Sequence, residues 1–264
     1  MNKENLMPTL FIPHGGGPCF FMDWDPPDTW QTMATYLKGI AATLPQIPKA
    51  IVVVSAHWEE PAFTVTTHPQ PPLIYDYFGF PDHTYQIKYP APGAPELAKK
   101  IGDLLKTRGI TVHEDGARGF DHGVFIPFKL IFPEANIPIV QLSLKHGLDP
   151  EEHLAVGRAL APLRGEGVLI VGSGMSYHNL RRFMRGNDAS SETFDNWLTG
   201  AVLSPDREKQ FSQWSTAPAA HEAHPREEHL LPLMVVAGAA GNDAGARTFH
   251  DSVNGIVISG YRFG

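Results

Sequence analysis

Ala50-Ile51-Val52-Val53-Val54-Ser55 runs directly into Ala56-His57-Trp58. A short, continuous, largely β-branched run without polar alternation reads as a strand buried on both faces. Two other stretches repeat the phrase. Residues 8–12, PTLFI, lead into Pro13, His14 and three glycines, and residues 167–171, GVLIV, lead into GSGMSYH and end at His178. Further strands are expected over 110–113, 138–144 and 255–262, with 62–67 as a more exposed, alternating one. Helical patterns lie between them, over about 30–44, from Ala94 to a stop at Gly109, over 124–132, and from Asp149 to about Leu163. Asp149-Pro150-Glu151-Glu152 supplies an N-cap, proline at the first helical position and glutamate at the third. Phe194, Trp197, Leu198 and Ala201 mark another helix, 206–214 a second, and the apolar run from Leu230 a third, with Pro232 in its first turn. Strands alternating with helices predict one α/β domain over residues 1–264. It is a three-layer α/β/α arrangement around a central mixed, largely parallel sheet, with 62–67 and 255–262 as the antiparallel members.

The bulk numbers narrow the partners. A chain of 264 residues with 42% hydrophobic content can bury a large core. The formal net charge is −7 and no Lys/Arg cluster stands out, which argues against a nucleic-acid partner. Cys19 is the single cysteine, so a disulfide framework is excluded and a reducing compartment fits. No apolar segment is long enough to span a bilayer, and the opening MNKENLMPTLF has no apolar core followed by a cleavage site. The expectation is a cytoplasmic protein, monomer or homodimer, without a membrane partner.

Thirteen histidines are present, and position sorts them. Ligands of open α/β sheets bind at the carboxyl ends of the strands. His14, His57 and His178 follow three of the most apolar strands and would reach that one edge. Imidazole is the commonest protein ligand for Zn and Fe(II). His122, in GFDHGVF, can serve a pocket or merely bond to backbone, and Asp121 beside it is not assumed to pair with it. In HEAHPREEH, His229 sits where a loop enters an apolar helix. His221 and His224 read as solvated, and Glu227 and Glu228 as covering the first helical turn. His68, His83, His113, His146, His153 and His250 read as surface or strand-end residues. The HGGG phrase at His14 matches an esterase oxyanion loop, but neither Ser173 nor Ser176 sits in the G-x-S-x-G elbow such an enzyme needs. The irregular segment 68–93, rich in Pro, Tyr and Phe, is a functional loop or an excursion packed by its own aromatics.

In its phrases FIPHGGGP, AIVVVSAHWE, YPAPGAPELA, GFDHGVFIPFKLIFP, IPIVQLSL, His178-Asn179-Leu180 and EEHLLPL, the chain resembles the class III extradiol ring-cleavage dioxygenases of the LigB superfamily. Its nearest likeness is to the short DOPA 4,5-dioxygenase-like branch. The phrases come in family order across nearly the whole chain. The first loop departs, reading HGGGP where the branch commonly has HGSP, and 181–225 has no clear match. The resemblance implies a mononuclear non-heme site with His14, His57 and His229 as metal ligands. Elsewhere in the superfamily a glutamate is the third ligand, which keeps Glu227 and Glu228 in view. It further implies His178 as the base toward a catechol and His122 as a second group toward oxygen. Fe(II) is the expected working metal, with Zn(II) as an alternative occupant, and the substrates are a catechol and O₂. Two other readings use the same residues: a zinc-dependent hydrolase, and a non-enzymatic binding protein on the same fold.

Overall fold

The computed structural model describes residues 6–264. Its strands are β1 (Thr9–Pro13), β2 (Ala50–Glu60), β3 (Phe63–Thr66), β4 (Val112–Asp115), β5 (Ile139–Lys145), β6 (Val168–Gly174), β7 (Gly245–Val253) and β8 (Ile256–Phe263). The helices are α1 (Gln31–Gly39), α2 (Pro95–Thr107), α3 (His122–Ile131), α4 (Pro150–Leu160), α5 (Leu180–Phe183), α6 (Ala189–Leu203), α7 (Arg207–Ser212), α8 (Ala220–Ala223) and α9 (Leu231–Ala240). All eight strands join one sheet in the order β4-β3-β5-β2-β6-β1-β8-β7. The central four, β5-β2-β6-β1, are parallel. β8 joins β1 antiparallel and β3 joins β5 antiparallel, so the sheet is mixed as its sequence implied.

Alternation along the central strands splits the core in two. Phe11, Val52, Val54 and Ile170 face a layer containing α2, α4, α6 and α9. Leu10, Ile12, Ile51, Val53, Leu169 and Val171 face α1, α3 and the aromatic loop. All ten residues of α9 are buried, because it packs on β6 and β1 and is covered by α4. The Asp149 cap is made as expected: its side chain accepts the Glu152 N–H at 3.0 Å.

Several expectations need correction. The 62–67 strand is not exposed: all four residues of β3 are buried. Phe63 and Val65 pack into the core beneath α2, while Thr66 Oγ1 accepts from Gln141 N–H and Ser143 Oγ accepts from Thr64 N–H. The 30–44 helix divides into α1 and a 3₁₀ turn over 40–43. The 206–214 helix is shorter, covering 207–212. β7 has no counterpart among the expected strands. Its sequence GARTFHDSV is polar because it is an edge strand with mostly exposed side chains.

Two histidines assigned to the surface are core residues. His153 and His224 are fully buried. His153 Nδ1 donates to Asp149 O at 2.7 Å and its Nε2 accepts from Lys145 N–H. His224 Nε2 donates to Ser176 O at 3.0 Å. Burial lowers both rings from 6.5 to about 4. Unfolding frees them to take protons below about pH 6.5, so the unfolded state binds more protons between pH 6.5 and 4. Their contribution is fully present above pH 6.5 and is lost as pH falls through that window, by up to about 3 kcal/mol for each ring. Urea midpoints should therefore drop from pH 7 to pH 4.5, and His153→Gln should flatten that dependence. An unchanged slope in the variant would contradict the assignment.

Candidate metal centre

Five imidazoles meet at the carboxyl edge of the central strands. His14 is the first residue after β1, where its N–H continues the parallel ladder to Gly174 O at 3.2 Å. His57 lies within β2, in the stretch where pairing with β5 slips between Val54 and Glu59. Such an irregularity re-aims side chains at a sheet edge. Fully buried Asp121 supports it, since its carboxylate accepts from Ser55 Oγ at 2.7 Å, from Arg118 at 3.1 Å and from Gln141. Ser55 Oγ in turn accepts the His57 N–H at 3.2 Å. Asp121 thus serves the neighbouring strand rather than His122. His178 follows β6, its N–H donating to Ala223 O at 2.9 Å. His122 opens α3.

His229 precedes α9, and its carbonyl accepts from Met175 N–H at 3.0 Å. This approach depends on Gly174, where a Cβ would stand 2.2 Å from His229 O. Contact with a backbone atom at that distance cannot be relieved by a rotamer change. Gly174→Ala is therefore expected to displace His229 and weaken metal retention about tenfold or more, as loss of ligand orientation does. Metal titration of the folded variant checks this, and wild-type affinity would contradict it.

The rings of His14, His57 and His229 lie 4.8, 4.8 and 5.2 Å apart, centroid to centroid. The His122 ring lies 3.9 Å from that of His57, tilted by 44°, and His178 stacks on His229 at 3.3 Å. By mutual distance the potential ligand atoms fall into two sets, His14/His57/His122 and His178/Glu228/His229, each within 4.8 Å. The triad expected from the sequence takes two members from the first set and one from the second. His14 Nε2 and His57 Nε2 face each other at 3.3 Å. That matches the edge of a tetrahedron with metal–nitrogen bonds of about 2.0–2.1 Å. Burial, reinforced by neighbouring imidazoles, lowers His14 and His229 well below the ordinary histidine value and His57 to about 3. All three stay neutral, the state a metal requires.

Two carboxylates orient these rings, and the sequence singled out neither role. Asp76, between Tyr75 and Tyr77 of the irregular loop, accepts from His122 Nδ1 at 2.8 Å and from His122 N–H at 2.9 Å. Its other oxygen is 3.8 Å from His57 Nδ1. Glu228 Oε1 lies 2.8 Å from His229 Nδ1 and 3.1 Å from His178 Nδ1. Burial pushes both carboxyls up, but the bonds donated by His122 and His178 outweigh it and hold both below the usual range. Glu228 therefore sits in the turn before α9 as a partner of two imidazoles, not as cover for a helical turn. With Nδ1–H committed to a carboxylate, Nε2 of a neutral ring is left free. In 68–93, Tyr75, Tyr77, Phe80 and Tyr85 pack on one another, yet the loop also delivers Asp76 and Phe80 to the site.

The five histidines line a cavity of about 260 Å³ whose walls also include Gly16, Trp30, Phe80, Tyr177, Leu180 and Phe183. Sequence comparison agrees with what these residues suggest. Residues 8–264 match the family described as the catalytic LigB subunit of aromatic ring-opening dioxygenase. The chain belongs to the LigB family. Among LigB relatives, a 4,5-DOPA dioxygenase extradiol of Beta vulgaris is 39% identical, with 99% of this chain and 98% of the relative aligned. The dioxygenase tasH of Hapsidospora irregularis is 36% identical, with 99% and 87% aligned. The crystal structure of an uncharacterized protein from Escherichia coli K12 superposes with a TM-score of 0.80 at 30% identity, covering 98% of this chain and all of the other. A non-heme metal site built from histidines fits this LigB fold. Among the described residues, no helix is long and apolar enough to cross a membrane.

Proposed function

We propose that this LigB protein is an extradiol dioxygenase that inserts both atoms of O₂ into a catechol, using Fe(II) held by His14, His57 and His229. The observation that carries the reading is the pairing of each carboxylate with two imidazoles. Glu228 Oε1 accepts from His229 Nδ1 and lies 3.1 Å from His178 Nδ1, and this argues for His229 over Glu228 as the third ligand. Its Oε1 is already engaged between the two rings, whereas His229 Nε2 is free.

A bound Fe(II) would supply open coordination positions and one-electron chemistry toward O₂ and a catecholate. The protein supplies the rest. A catechol must shed a phenolic proton, whose ordinary pKa is about 10, before it can chelate a cation well. His178, with Nδ1–H held by Glu228, presents Nε2 to accept that proton. His122, anchored twice on Asp76, faces the same cavity beside His57 and hydrogen-bonds oxygen as charge develops on it. Trp30, Phe80 and Phe183 exclude water and pack the ring. Zn(II) fits the same donors. A zinc hydrolase remains the rival reading, and oxygen consumption separates the two. The Fe(II)-loaded protein is expected to consume O₂ with 4-methylcatechol and yield a yellow ring-opened product, and the Zn(II)-loaded protein is not. Absence of uptake by the iron form would contradict the proposal.

A further inference from the structure

The carboxylate that holds two of the histidines is itself held on one side only. Glu228 Oε1 lies between His229 Nδ1 and His178 Nδ1, at 2.8 and 3.1 Å. Its Oε2 is buried and has no hydrogen-bond partner among the described residues. A carboxylate oxygen taken out of water without a donor needs an opposite charge nearby. The cation that faces it is Arg226, with Nη1 3.6 Å away. Nη1 and Nη2 of the same guanidinium also form a two-point pair with Glu59, both at 2.5 Å. A planar fork paired in this way fixes geometry as well as charge.

Glu59 places the other end of this bridge. It lies in β2 two residues after His57, where pairing with β5 resumes at Leu144 after the slip. The segment before α9 is tied to the end of β6 by hydrogen bonds. His178 N–H donates to Ala223 O at 2.9 Å, Asn179 Nδ2 to Glu222 O at 2.8 Å, and His224 Nε2 to Ser176 O at 3.0 Å. Among the described residues, the pair of Arg226 with Glu59 is the ion pair that joins this segment to β2. The Arg226 side chain is 55% exposed, and a pair so exposed adds little to the stability of a fold. Nor does Arg226 line the histidine cavity. What it can affect is the group it faces, Glu228.

We infer that Arg226 is a positioning residue: held by Glu59, it fixes the plane of the Glu228 carboxylate, and so the placement of His229 and His178 relative to each other. This rests on the roles proposed for those two histidines, third metal ligand and proton acceptor. Without the guanidinium, nothing holds Oε2, and the carboxylate is free to turn about its Cγ–Cδ bond away from one ring or the other. His229 then loses the bond that aims it at the metal. Removing the direct partner of a ligand typically costs about 10–100-fold in metal affinity. Arg226 stands one residue further out and is half exposed, so about three- to tenfold is expected.

The test measures Co(II) affinity and the visible spectrum of the Co(II)-loaded protein, beside oxygen uptake by the Fe(II)-loaded form. Arg226→Gln and Glu59→Gln change the net charge in opposite directions. Charge alone would make the first bind Co(II) more tightly and the second more weakly. Positioning predicts about three- to tenfold weaker binding in both, with the same spectral shift. The double variant should show no further loss, because the two residues act as one unit. In the iron form kcat should fall while KM for 4-methylcatechol stays within about twofold. Thermal midpoints should stay within about 4 °C of wild type. Wild-type affinity and spectrum in Arg226→Gln, or affinities of the two single variants that move in opposite directions, overturn the inference. If the wild type opens no catechol yet the Co(II) pattern holds, the proposed chemistry fails and the inference stands.

Discussion

Replacing His57 by alanine is expected to strip the protein of its metal and take ring opening to background. His57 is the centre of the cluster. Its ring is 4.8 Å from those of His14 and His229 and 3.9 Å from that of His122, and its Nε2 faces His14 Nε2 at 3.3 Å. Losing it removes one of three donors and opens the space that keeps His14 and His122 in place. Disturbing a supporting group alone typically costs about 10–100-fold in metal affinity, so losing a ligand should exceed that range. The fold should survive, because β2 is held along Ala50–Ser55 by β5 and β6 and the ring itself is one-fifth exposed. Metal content after desalting, read beside a thermal melt, checks this. A folded variant with full metal content would contradict the ligand assignment.

The second large effect separates metal binding from chemistry. His178→Ala should keep its metal and lose about 10²–10⁴-fold in kcat/KM, the usual worth of a positioned proton acceptor. The ring stacks on His229 at 3.3 Å, but its Nδ1 is committed to Glu228, which still holds His229 at 2.8 Å when His178 is gone. His122→Ala should behave similarly, because its anchor is Asp76 rather than a proposed ligand. Near-normal turnover in both variants with unchanged metal content would remove the proton-handling roles. Loss of metal from His178→Ala would instead move that histidine into the coordination sphere.

How much of this was legible in the sequence depends on how local each signal is. Ile51–Val54, Leu10–Ile12 and Leu169–Val171 are buried on both faces, so their strands stand out as continuous apolar runs. The histidines after them inherit a location from strand direction alone. The antiparallel edges were half visible: β8 is apolar where it lines the core, while β7 is polar on its solvent side and carries no such signal. Asp76 was invisible because its value lies in a contact with His122, 46 residues away, made by a loop without a period. Glu228 carries a misleading local signal, since a glutamate before an apolar helix usually serves the helix, whereas here it faces two imidazoles. His153 and His224 were misplaced for a related reason. Each is buried with a backbone carbonyl as its partner, and neighbouring residue types do not announce such a bond.

The most direct measurement is a single turnover of the Fe(II)-loaded protein with a catechol under ¹⁸O₂, followed by mass spectrometry of the product. The account predicts one O₂ consumed per catechol and both labelled atoms in a ring-opened product. A quinone without label, or a catechol recovered intact from a fully iron-loaded protein, would contradict it.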